Sequence, residues 1–128
     1  MHLKQIAWPL LGVALLFPVA SPALAHHSGH AYDRNHPLTF TGTVTEYQFA
    51  NPHSLIMVDV KDKDGVVTNW VVQSAGPAKL MRAGWNRNTI KPGDTVTVTG
   101  FPSKDGKKEM GLQKLTPPNG VILTEGNE

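Results

Sequence analysis

The chain contains no cysteine. That absence excludes disulfide staples, thiolate metal ligands and thiol nucleophiles, so any metal bound here would be held through nitrogen and oxygen. No block of lysine or arginine is longer than the pair Lys107-Lys108. Without such a block a dedicated polyanion partner is not indicated, and nucleic-acid binding is not expected. The apolar run from Ile6 to Val19 falls short of the roughly 20 residues that a membrane-spanning helix needs, and Pro9 and Pro18 interrupt it. No internal repeat and no second domain can be found along the sequence.

What is present begins with an export signal. Met1 to Lys4 is short and cationic, Ile6 to Val19 is apolar, and Ser21-Pro22-Ala23-Leu24-Ala25 is a small-residue exit with alanine at both specificity positions. Residues 1–25 therefore read as a signal peptide cleaved after Ala25. The product would be periplasmic or secreted, with no stable membrane anchor. An uncleaved anchor is the minor alternative, and a lipoprotein lacks the cysteine it would need. Lys4 is the only lysine or arginine of the leader, so the mature chain keeps 11 of 12 basic and all 10 acidic residues, a formal charge of +1. The sequence pI near 9.0 overstates its basicity. What remains is enough for one domain with one core.

Residues 26–37 form a polar, histidine-rich arm without apolar periodicity. Residues 38–124 alternate as β-structure. Leu38 to Phe49 reads as a first strand whose apolar set changes phase midway, from Phe40 and Val44 to Tyr47 and Phe49, around an internal Gly42. That pattern predicts a bend or bulge. Ser54 to Lys61 and Val66 to Gln73 form a hairpin around Asp64-Gly65, with Val66, Trp70 and Val72 on one face. Pro77 opens a short helix and Gly84 closes it, with Leu80, Met81 and Trp85 expected to pack it down. Thr95 to Phe101 and Met110 to Leu115 supply two more strands. Val121 to Leu123 adds a short edge, and the last residues are expected to fray. Five strands with one helix between the third and fourth is the element order of a small OB-like barrel. A β-sandwich is the runner-up and would leave that helix without a place.

Four segments carry a resemblance: Ala25-His26-His27-Ser28, Asn51-Pro52-His53-Ser54, Gly84-Trp85 and Lys91-Pro92-Gly93-Asp94. Together they resemble a family of uncharacterised, secreted bacterial small proteins. The resemblance spans nearly the whole mature chain. It implies export and an OB-like barrel, and no established activity.

The chemistry must come from the residues. Cleavage after Ala25 would give His26 a free α-amino group beside its imidazole, and the two close a six-membered chelate. Neutral imidazole suits copper, zinc and nickel, and Cu(II) heads the divalent affinity order. His26 could chelate one ion with a further histidine completing a T-shaped site. Alternatively the amine, the amide of His27 and its ring bind Cu(II) in a plane, with His30 nearby. Zinc prefers tetrahedral ligands and fits both less well. The candidate metal ligands are His26, His27, His30 and His53, and copper(II) is the candidate cofactor. Against this stands the plain fact that a solvated histidine-rich arm binds copper weakly whatever its function.

His53 lies in the loop between the first two strands, bordering the usual OB binding face, although a strand-start histidine can simply satisfy a backbone carbonyl. His36, before Pro37, reads as the end of the arm. A meeting of His26 with His53 is stretched. The first strand is about 12 residues at ~3.3 Å each, or ~40 Å, and the arm would have to return nearly extended. The other function class is an envelope interaction module holding a peptide, glycan or protein. It would present an exposed aromatic or apolar patch around Tyr47, Phe49 and the loop Ser103 to Lys108. Asp62-Lys63-Asp64-Gly65 lacks the ligand series of a calcium loop. Ser54 and His53, as strand neighbours, would point to opposite faces. No enzyme signature is present.

Overall fold

The phase change in the first strand governs how the chain closes. In the computed structural model, which describes residues 31–126, β1 (Leu38–Gln48) pairs with β4 through its first half and with β2 through its second. Val44 faces Val58 and Glu46 faces Met57, so Thr45 is the extra, unmatched residue of a bulge. Before it Phe40 and Val44 turn inward, and after it Tyr47 and Phe49 do. Glycine at position 42 is required by this curl. A Cβ there would lie 2.5 Å from the Asp59 carbonyl oxygen and 2.6 Å from Val58 Cγ1.

β2 (Leu55–Lys61), β3 (Val67–Gln73), β4 (Thr95–Pro102), β5 (Glu109–Thr116) and β6 (Leu123–Thr124) complete the sheet in the order β3-β2-β1-β4-β5-β6. A parallel contact of Val71–Gln73 with Glu109–Gly111 closes β1 to β5 into an OB-like barrel. β6 then pairs with β5 at Lys114 and Leu115, just past that contact. β3 and β6 thus occupy one edge of β5 end to end.

Alternation explains the interior. Ile56, Val58, Val72, Val98, Met110 and Leu115 are fully buried at inward positions of four strands, each contributing roughly 1.5–3 kcal/mol by leaving water. The outer faces of β1 and β4 carry threonines instead, and the pairs Thr39–Thr99 and Thr41–Thr97 bond through their hydroxyls at 2.8 Å each.

The helix α1 (Pro77–Arg82) starts with Pro77 in its first turn, where a missing N–H costs nothing. Gly84, at φ +92°, ends it. The Trp85 N–H donates to Leu80 O and the Gly84 N–H to Met81 O, the two bonds of a Schellman termination. Leu80 and Trp85 are buried, as expected, and the Trp85 indole donates to Thr124 O at 2.8 Å.

Three local expectations are corrected. Met81 is 56% exposed, because six helical residues present only one turn to the core and Leu80 takes it. Val66 is 59% exposed and precedes β3. Its N–H donates to Asp62 Oδ1 and its carbonyl accepts from Asp62 N, so it closes the turn rather than entering the barrel. The C-terminal segment does not fray through Glu125: β6 and the Trp85 indole anchor it. No helix among the described residues is long and apolar enough to cross a membrane.

Candidate functional site

The arm is the element that organises this end of the barrel. His26, His27 and His30 lie outside the described residues, as does the expected cleavage point, so the arm is described from Ala31 onward. It is bound to the β4–β5 hairpin: Lys104 N donates to Ala31 O at 3.0 Å, Asp33 N donates to Pro102 O at 2.8 Å, and Tyr32 bridges Ser103. Arg34 lays its guanidinium over Phe101, 5.3 Å from the ring centroid. His36 stays exposed at the arm's end, its Nδ1 2.8 Å from Asp33 Oδ2.

Tyr32 carries the arm across the seam. Its ring covers Gly111, where a Cβ would come 3.1 Å from Tyr32 Cδ2, and its hydroxyl donates to Gln73 Oε1 at 3.1 Å. Gln73 is the cross-strand partner of Leu55, two residues after His53. The arm therefore reaches the end of β3, across the ladder from Leu55, within its first described residues. The curl of β1 and the closure of β3 on β5 bring the start of β1 and the start of β2 to the same end of the barrel, through Gly100, Gly111 and Gln73. From Tyr32, the six residues back to His26 reach ~20 Å at full extension.

The loop holding His53 is built tightly. The Asn51–Pro52 peptide is cis, and a Cβ on Gly76 would lie 2.8 Å from Pro52 O. Ser54 N donates to Ala75 O at 3.1 Å and Ser74 N donates to Ser54 O at 2.9 Å. Ser54 is fully buried, and its hydroxyl has no hydrogen-bond partner among the described residues. His53 is exposed at the rim. Adjacent in sequence, the two residues point opposite ways, one into the barrel and one to solvent.

Glu125 completes this rim, though in the sequence it is only a carboxylate near the end of the chain. Its Oε1 accepts the Ala75 N–H at 2.8 Å across the junction where β3 and β6 meet. Burial pushes its carboxyl above the ordinary value, while the bond from Ala75 and the positive charge of Lys79 pull it back. Tyr32 and Arg34 also escaped the sequence reading. Only the fold shows that a tyrosine sits opposite a glycine on another strand.

Among the described residues, no group of three or more His, Cys, Asp or Glu side chains could hold a metal ion. His53 and Glu125 are two nitrogen and oxygen donors on one rim, and further ligands would have to come from the arm ahead of Ala31.

The aromatic face expected of an interaction module is not formed where it was sought. Phe49 is buried beneath Arg87, whose guanidinium lies 5.6 Å from its ring centroid. Tyr47 is half-buried, and burial pushes its hydroxyl up to about 12 against the opposing pull of Arg87. The loop from Ser103 to Lys108 is polar, with Asp105 accepting from the Ser103 hydroxyl at 2.6 Å and paired to Lys107 at 3.0 Å. Trp70 is partly buried beside this loop, 5.3 Å from Phe40 and beneath Lys108.

Comparison with known proteins finds one family profile over most of the chain: residues 14–113 match a family of unknown function, DUF6152. No curated protein matches. Among solved structures, the crystal structure of a ZRD-deleted mutant of TiaS in complex with agmatine is similar over 77% of this chain at 22% identity and a TM-score of 0.45. The chain spans about a quarter of that protein, the match covering 25% of its length.

Proposed function

The chain belongs to DUF6152, a family of unknown function, and from that footing we propose that it is an exported protein that captures a divalent metal ion, copper(II) foremost. The ion is held between the processed N-terminus and the barrel rim: the α-amino group and ring of His26, with His27 and His30 as neighbouring donors, and the imidazole of His53. The set is nitrogen-rich, as Cu(II) prefers, and a chain without cysteine offers no thiolate to compete with it. One ion with no redox partner gives no turnover, so the role is buffering, delivery or sensing in the periplasm or outside the cell.

The observation that carries this reading is the return of the arm. Tyr32 is bonded to Gln73, whose ladder partner Leu55 follows the His53 loop. His30 is two residues from Tyr32, and His26 is within ~20 Å of chain. The loop itself is braced by Ser54, Ala75 and Gly76, so its imidazole is presented from a fixed backbone.

A Cu(II) titration tests it, comparing protein that starts at His26 with protein carrying one extra N-terminal residue and with His53→Ala. Blocking the amine and removing the imidazole should each weaken binding by at least about tenfold. Equal, weak binding by all three would mean that the histidines act only as a solvated tag. Intact mass of the secreted protein fixes the N-terminus in the same sample.

A further inference from the structure

Independently of any metal, we propose that the open edge of β3 is a pairing site for a second copy of this chain, antiparallel and two-fold about Thr68. The direction of each backbone group along β3 follows from its neighbours. Asp62 N donates to Val66 O and Ser74 N donates to Ser54 O, so alternate residues from Val66 to Ser74 turn their amides and carbonyls toward β2. Val71 turns the other way, and its N–H donates to Lys108 O at 3.0 Å. Val67 and Asn69 share that outward direction, but β5 pairs with β3 only from Val71 onward. Their N–H and C=O groups have no partner among the described residues. The Asn69 side chain is committed to Asp59 Oδ1, 2.8 Å away on β2, so it does not cover the edge. Strand edges are ordinarily blunted by lysine, proline or a bulge, and Val67–Trp70 has none of these.

A second copy fits this edge by length and by charge. The open stretch is bounded by Lys108 beside Val71 and, at its other end, by the turn Asp62–Gly65, which carries the chain away to β2. Antiparallel pairing about Thr68 sets Val67 against the partner's Asn69 and Asn69 against the partner's Val67. Every open group is then used, in four backbone bonds, and the contact closes on itself. Val66, exposed in the single chain, falls opposite the partner's Trp70 at a non-hydrogen-bonded position, where side chains lie closest. Next along the chain, Asp64 arrives at the partner's Lys108. Neither Asp64 nor Lys108 makes an ion pair among the described residues. The loop Lys104–Lys108 holds three lysines and one aspartate, so a carboxylate meets positive charge there. This contact is small beside the ~1,600 Å² of a standard interface, and the dimer should be weak, with a dissociation constant on the order of 0.1–1 mM.

Sedimentation equilibrium of the protein from about 10 µM to about 2 mM tests this, with amide exchange followed at the same concentrations. Monomer should give way to dimer across that range. The Val67 and Asn69 amides should slow severalfold at the top of it, while Thr68 and Trp70, already bonded to β2, stay unchanged. Val67→Pro removes an N–H that β2 does not use, and with it two of the four bonds. Its dissociation constant should rise at least about tenfold, with Thr68 and Trp70 still protected. Asp64→Lys should also weaken pairing, and adding Lys108→Glu to it should restore the dimer. A protein that stays monomeric at the highest concentration with both amides fast overturns the proposal. So does a dimer that Val67→Pro leaves intact or, should that variant not fold, one that ignores Asp64→Lys. Slow exchange at Val67 and Asn69 at every concentration overturns it too, since the edge would then be covered within one chain.

Discussion

Replacing Tyr32 with alanine should release the arm and leave the barrel closed. The Tyr32 ring is half-buried over Gly111, and its hydroxyl donates to Gln73 at 3.1 Å. A half-buried tyrosine hides on the order of 100 Å², worth ~2.5 kcal/mol at ~25 cal/mol per Å². The hydrogen bond adds about 1 kcal/mol. The sum of roughly 3.5 kcal/mol corresponds to a few hundredfold in the opening equilibrium of the arm. Amide hydrogen exchange reads it directly. The N–H of Asp33 bonds to Pro102 and that of Lys104 to Ala31, so both amides report whether the arm is down. They should exchange a few hundredfold faster, on the order of 300-fold, in Tyr32→Ala and about fivefold faster in Tyr32→Phe, which keeps the ring. Amides in the β1–β2 and β1–β4 ladders should not change. Two results would refute the reasoning: unaltered exchange at Asp33, or equal acceleration throughout the barrel, which would make Tyr32 part of the global core.

Further substitutions probe the frame. Ser54→Ala removes a buried hydroxyl that has no partner among the described residues; it should be neutral or stabilising by up to about 1 kcal/mol in urea melts, and a clear destabilisation would reveal a hidden partner. Gly42→Ala should destabilise by about 1–3 kcal/mol, because its Cβ would press on the Asp59 carbonyl, and an unchanged urea midpoint would show that the bend yields freely. Asp105 is held down to about 2, first by the Ser103 hydroxyl and then by the Lys107 amide and ammonium. A depressed carboxyl gives stability that is present above its unfolded value of about 3.9 and lost as pH falls toward 2. Asp105→Asn should therefore remove part of the acid sensitivity below pH 4, seen as a flatter thermal midpoint against pH over that window.

Much of the fold could be read from residue order, because the deciding signals were local. The switch from Phe40 and Val44 to Tyr47 and Phe49 is a bulge written in one strand, and it lies at Thr45. Pro77 and Gly84 bracket the helix by backbone constraint alone. The misreadings came where one residue answers to distant ones. Met81 and Val66 are apolar and at plausible positions, but a short helix and a tight turn had no room to bury them. The rim was the least legible part. His53 stood out by its loop, whereas Glu125 and Tyr32 matter because β3 and β6 share an edge of β5 and the arm crosses it. No spacing in the sequence encodes that meeting. The histidines ahead of Ala31 were conspicuous from the start, and residues 31–33 lay the arm along the β4–β5 hairpin.

The shared edge of β5 has a consequence for engineering. Tyr32 and Glu125 dock two residues apart on one stretch of chain, on Gln73 and Ala75, so a linker could join the two segments. The new ends could then be opened at the Asp64-Gly65 turn, where Gly65 has open space around its Cα. Such a circular permutant would keep every ladder of the barrel while abolishing any free amine near the rim. A purification handle placed at the Asp64-Gly65 turn would sit at the far end of the β2–β3 ladder from Leu55 and Gln73, and so clear of His53.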